Sequence, residues 1–206
     1  MLGITGYGVY LLMAILSTDT MYIISRSISQ GRKAGIYSVL GISTGSFIHT
    51  LLAAFGLSII LKQSIVLFTA IKIMGAAYLI YLGIKMLFQK SLLKFEPSAL
   101  QHLELRKIYM QGVITNVTNP KVALFFISFL PQFIITNNPY GPIPFIILGI
   151  SFITTGTLWC LIIAYFASLA TEKLRENTKI ADLLNKLTGI IFIGLGIKLL
   201  QTKASQ

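Results

Sequence analysis

A chain of 206 residues with a net charge of +11, in which 55% of residues are hydrophobic and 11% charged, departs from soluble domains, which carry about 25% charged residues. A soluble fold of this size has no interior large enough to hide that much apolar surface. The single cysteine, Cys160, excludes an internal disulfide.

A helix crosses a hydrocarbon core of about 30 Å with roughly 20 apolar residues. Six stretches qualify: residues 6–25, 36–61, 64–88, 112–135, 143–170 and 183–200. None shows the alternation of apolar and polar residues expected of a membrane β-barrel. The N-terminal Met-Leu-Gly-Ile-Thr lacks the positive region and small-residue cleavage site of a secretory signal, so the first stretch is expected to remain as a helix.

Span one holds Asp19, the one acid within any span; Glu96, Glu104, Glu172, Glu176 and Asp182 fall between spans. In span two, Gly41, Gly45, His49 and Ala53 recur at every fourth position, a spacing that lets helices approach closely and turns His49 into the bundle. There it could pass protons near neutral pH or hydrogen-bond a neighbouring helix. Lys72 in span three shares a face with Gly75, Ala76 and Gly83; it either points inward or snorkels to the outer interface.

The least apolar stretch, residues 89–107, contains Glu96, Pro97 and Glu104 and reads as a linker. Span four carries Asn116, Thr118, Asn119, Pro120 and Lys121. Pro120 lacks a backbone donor, so it either kinks the helix or breaks it, and broken helices line substrate cavities in transporters. Asp19 and Lys121 fall at similar depth. They form either a structural ion pair or a site in which Asp19 meets an ammonium or a proton and Lys121 a carboxylate. Ionisable groups inside a membrane are costly, which makes each a functional candidate.

Basic residues decide the orientation. Arg26, Arg32 and Lys33 lie between spans one and two; Lys85, Lys90, Lys94, Arg106 and Lys107 around the central linker; Lys173, Arg175, Lys179 and Lys186 between spans five and six. Only Lys62, Lys198 and Lys203 lie on the other side. The positive-inside bias places the linker in the cytoplasm and both termini in the periplasm. The charge therefore reports topology, not a nucleic-acid partner.

The halves on either side of the linker look related. Leu40-Gly41-Ile42-Ser43 matches Leu148-Gly149-Ile150-Ser151, Leu82-Gly83-Ile84-Lys85 matches Leu195-Gly196-Ile197-Lys198, and Gly8 pairs with Gly112. The expected fold is all-α and membrane-integral: one domain of six helices, with repeat one at 1–88, the linker at 89–107 and repeat two at 108–206. Three helices per repeat make the second copy inverted, a plan that sets substrate sites near the midplane.

Together these pieces resemble the LysE/RhtB family of amino-acid exporters. The likeness rests on Asp19-Thr20, Ser25-Arg26-Ser27, Gly31-Arg32-Lys33-Ala34-Gly35, Leu40-Gly41-Ile42 with Gly45, His49, Lys72 through Tyr81-Leu82-Gly83, Thr115-Asn116 with Asn119-Pro120-Lys121, and Phe129-Leu130-Pro131-Gln132-Phe133. The resemblance implies secondary, proton-driven export of small amino acids or their derivatives across a bacterial inner membrane. Where the family has Pro-Gly-Pro before the span-one aspartate, this chain has Leu16-Ser17-Thr18. That exchange points to an altered substrate or a weakened activity.

The expected substrate site is Asp19, Asn116, Asn119 and Lys121, beside the helix break at Pro120; Asp19, His49 and Lys72 are the proton-coupling candidates. No phosphate-binding Gly-rich loop is present, so ATP-driven transport is not expected. An enzyme would need a nucleophile with a base, or several metal ligands, but His102 lies in the linker and the sequence sets no evident base beside Cys160. No catalytic residue, metal or cofactor is expected. The partners are an amino acid, protons and membrane lipid, with room for a homodimer. The alternatives are an inorganic-ion exporter of related architecture, for which one intramembrane acid is a poor cage, and a non-catalytic membrane assembly factor.

Overall fold

The computed structural model describes residues 18–63, 65–88, 103–134 and 139–169, together with Lys186, Gly189, Ile190, Ile193, Gly194, Gly196, Ile197, Leu200 and Gln201. The described elements are all helical: α1 (Thr18–Gln63), α2 (Ile65–Phe88), α3 (Leu105–Val117), α4 (Pro120–Phe129) with a 3-10 turn (Leu130–Phe133), and α5 (Ile143–Ser168). Two stretches among them, Thr20–Leu57 and Ile143–Ser168, are long and apolar enough to cross a membrane. Residues 6–17 of span one and the linker stretch 89–102 lie outside the described residues.

α1 is broken at Gly31, whose φ of 81° and ψ of −176° are non-helical. This backbone region is essentially reserved for glycine, and the chain uses it to reverse direction within one residue. The arm before Gly31 folds back along the arm after it, so that Gly35 abuts Ser27 and Ile23 packs with Val39 and Ile42. The basic segment expected to join spans one and two is therefore helical on both sides of Gly31. Arg26 is buried inside it, because carboxamide oxygens meet its guanidinium: Nη1 donates to Gln30 Oε1 at 3.1 Å and Nη2 to Gln111 Oε1 at 2.9 Å.

The second arm of α1 is the axis of the bundle, and its principal neighbours are α3 and α5. Against α3 it runs parallel, with Gly41 facing Tyr109 and Gly112 and Gly45 facing Asn116. Against α5 it runs antiparallel: Thr50 meets Gly149, Gly35 meets Ala164, and Ser43 and Thr157 share a hydroxyl hydrogen bond of 2.7 Å. The fourfold spacing of Gly41, Gly45, His49 and Ala53 is the reason for the α3 seam, and all four are buried.

α2 crosses the described part of span six backbone to backbone. A methyl group on Gly83 would lie 2.6 Å from the Gly189 carbonyl oxygen and 2.7 Å from Ile193 Cγ1; one on Gly196 would lie 2.8 Å from the Ala76 carbonyl oxygen and 2.5 Å from Ile80 Cγ1.

Span four differs from a single helix. Its first half begins at Leu105, inside the expected linker, and ends at Val117; its second half begins at Pro120. Spans three and five agree closely with α2 and α5.

Candidate functional site

Two apolar clusters sit at opposite ends of the second arm of α1. One gathers Ile23, Val39, Ile42, Cys160 and Ala164. The other gathers Ala53, Ala54, Leu57, Leu79, Phe125, Phe126, Leu130 and Phe145. Between them lies a band of polar side chains: Ser43, Ser46, His49 and Thr50 from α1, Asn116 from α3 and Thr157 from α5. Ser46, His49, Thr50 and Asn116 are buried, the last at 1% exposure. Burying polar groups is unfavourable unless they are bonded, and this band is bonded internally. Ser46 Oγ donates to Asn116 Oδ1 at 3.4 Å, Thr50 Oγ1 to the Ser46 carbonyl at 3.0 Å, and His49 Nε2 lies 3.1 Å from the Asn116 carbonyl oxygen.

Asn116 sits where the ladder of span four fails. In an uninterrupted helix the N–H of residue 120 would bond the carbonyl of residue 116, and proline has none. Asn119, in extended conformation (φ −77°, ψ 107°), bridges the gap. Its N–H turns back to the Asn116 carbonyl at 3.1 Å. Its side-chain Oδ1 accepts from the Lys121 N–H at 3.1 Å, and its carbonyl accepts from Val122 and Ala123. The opening turn of α4 is thus capped by Asn119 itself. Thr118 closes α3 by donating through N–H and Oγ1 to the Ile114 carbonyl at 2.9 Å and 2.7 Å.

Of the residues chosen from sequence, Asn116, His49 and the break at 118–120 come together with Ser46. Asn119 serves the backbone of the break. Lys121 is half-buried at the first turn of α4. The side chains of Asp19 and Lys72 lie outside the described residues. Ser46 and Thr50 had no sequence signal of their own, because a hydroxyl in an apolar helix often bonds only its own preceding turn. Their proximity to Gly45 and His49 was the available clue.

Residues 10–203 match the family described as LysE type translocator. The chain belongs to that family. It is accordingly a membrane transporter and not an enzyme. An uncharacterized membrane protein of Bacillus subtilis (strain 168), YrhP, is 36% identical to it over 196 residues, covering 91% of this chain and 92% of the relative. Leucine efflux proteins of Salmonella choleraesuis (strain SC-B67) and Salmonella typhimurium (strain LT2) are each 28% identical over 202 residues, covering 96% of this chain and 95% of theirs. No solved structure matches the chain.

Proposed function

We propose that this LysE-type translocator exports a small neutral amino acid across the bacterial inner membrane by alternating access about the polar band at the α3–α4 break. The observation that carries the reading is the band itself. Asn116 is buried between two apolar clusters, at a point where the membrane helix is discontinuous and where transporters bind substrate. Opening one cluster at a time would expose the band to one side of the membrane and then to the other. The similarity to leucine efflux proteins favours a neutral substrate.

In this reading Asp19 receives the substrate ammonium and exchanges it for a proton, while Lys121 receives the carboxylate. Asn119 keeps the α4 backbone donors occupied, so the lysine ammonium is the stronger attraction for an anion there. Asn116 and Ser46 supply the neutral polar wall.

The six-helix inverted repeat and the periplasmic termini belong to the same proposal. The crossing of α2 with span six supports the repeat. Gly83 and Gly196 are 113 positions apart, as are Ala76 and Gly189, and Ile80 and Ile193. Each glycine faces the counterpart carbonyl and the counterpart isoleucine in the other helix, as an inverted duplication requires. Labelling of single cysteines at Ser91 and Gln206, in a Cys160-free background, is expected from opposite faces of the membrane; labelling from one face refutes the arrangement.

The deciding experiment is counterflow in proteoliposomes loaded with a panel of amino acids. Labelled leucine is expected to accumulate against unlabelled leucine. Failure of every amino acid to exchange rejects the export reading.

A further inference from the structure

We infer that His49 is a positioning residue that staples the broken helix, adding from α1 a second donor to the carbonyl that Pro120 leaves without its own. This rests on the transport reading above and assigns His49 a role other than carrying the proton.

Proline at position 120 cannot donate to the Asn116 carbonyl, and a buried carbonyl short of partners is destabilising. Asn119 N–H reaches it at 3.1 Å, and His49 Nε2 reaches the same oxygen at 3.1 Å from a different helix. A carbonyl oxygen can only accept, so the hydrogen of this bond is on His49 Nε2. That fixes the neutral ring as the Nε2–H tautomer, with the basic lone pair on Nδ1.

The same ring also touches the other side of the break. It stacks on Phe126 of α4 with centroids 5.8 Å apart and planes inclined by 22°. His49 therefore bonds the end of α3 and packs against α4, holding both half-helices to α1. Its small neighbour Gly45 and the Ser46 hydroxyl fix the Asn116 side chain from the same face. The imidazole thus ties the backbone of the break to α1, while Gly45 and Ser46 beside it hold the Asn116 carboxamide.

A proton carrier and a positioning donor differ in what can replace them. Glutamine offers a neutral N–H donor of comparable reach and cannot be protonated. Phenylalanine keeps the ring against Phe126 and has no donor. The tests are leucine counterflow by the His49→Gln and His49→Phe proteins across a range of pH, and 15N NMR of histidine-labelled protein carrying His102→Gln, which leaves His49 as its one histidine.

The Asn116 carbonyl keeps its bond from the Asn119 N–H, so loss of the second donor predicts a rise in KM of about two- to tenfold for His49→Phe. The His49→Gln protein is expected to keep a KM near wild type and an unshifted pH profile. At alkaline pH the NMR is expected to show the Nε2–H tautomer. A His49→Gln protein as impaired as His49→Phe would overturn the inference in favour of proton carriage. So would a His49→Phe protein with wild-type KM, or an Nδ1–H tautomer. Should the wild-type protein carry no amino acid at all, the export reading fails, while the tautomer still decides the bond.

Discussion

The seam between α1 and α3 is tight enough for a single methyl group to test it. On Gly45 a methyl carbon would sit 2.7 Å from both Cβ and Oδ1 of Asn116 and 3.0 Å from its Cγ. Asn116 Cβ is anchored to the α3 backbone, so rotating the side chain cannot clear the clash and the helices must part. Gly56, in the same helix, has nothing within 4 Å of the equivalent methyl position, which makes Gly56→Ala an internal control. In an open helical position alanine gains about 1 kcal/mol over glycine. Overpacking of a fitted interface costs about 1–3 kcal/mol. Both glycines lie within the same helix, so that gain is common to both, and the two variants should differ by the overpacking cost alone, roughly 1–3 kcal/mol in stability. Because the displaced group is Asn116, part of the cost should appear as weaker substrate binding, roughly 5-fold or more in KM for leucine at about 1.4 kcal/mol per tenfold. Thermal unfolding in detergent and counterflow kinetics measure the two parts. A Gly45→Ala protein as stable as Gly56→Ala, with wild-type KM, would refute both the closeness of the seam and the place of Asn116 in the site.

Gly31→Ala meets no side chain, since nothing lies within 4 Å of the new methyl group. Its effect is purely conformational, and a loss of about 1–3 kcal/mol should appear as a lowered unfolding temperature, whereas an unchanged temperature argues against the single-residue reversal. Asp19→Asn and Lys121→Ala are each expected to abolish leucine exchange while leaving the protein folded by size-exclusion profile. The exchanged pair Asp19→Lys with Lys121→Asp should stay inactive if both residues contact substrate, and its recovery of transport would make them a structural lock.

Much of this architecture could be read in the sequence because it depends on residues with strong local consequences. Pro120 has no donor whatever surrounds it, so a kink or a break at that point followed from chemistry alone, and the structure makes it a break. Gly41, Gly45, His49 and Ala53 announced their buried face by spacing. A reversal between spans one and two was expected, but its confinement to Gly31, with helix on both sides, was hidden because the charges beside it looked like a loop. Arg26 is satisfied by Gln111, a residue 85 positions away, and no local pattern carries that information. Leu105 to Lys107 read as linker for a similar reason: the stretch is polar, yet it forms the first turn of α3, where the Tyr22 hydroxyl donates to the Ile108 carbonyl at 2.7 Å. His49 was left between two roles by the sequence because its partner, a carbonyl freed by a proline in another helix, becomes visible only in three dimensions.

The polar band also bears on the charge of the substrate. In the proposed site a zwitterion would bring its ammonium to Asp19 and its carboxylate to Lys121. A basic amino acid adds a second cation, and leaving it unpaired in a low-dielectric cavity is expensive. With no second acid in any span, the remaining host would be the carbonyl end of α3, where the helix dipole favours positive charge. The geometry there is unfavourable to such a guest. The Asn116 carbonyl facing α1 already receives both the Asn119 N–H and His49 Nε2, and the Ile114 carbonyl receives both donors of Thr118. A second ammonium would have to compete with these bonds to reach either oxygen. Excess unlabelled leucine or threonine is therefore expected to inhibit leucine counterflow more strongly than excess lysine, and the reverse order would show that the end of α3 accepts a cation after all.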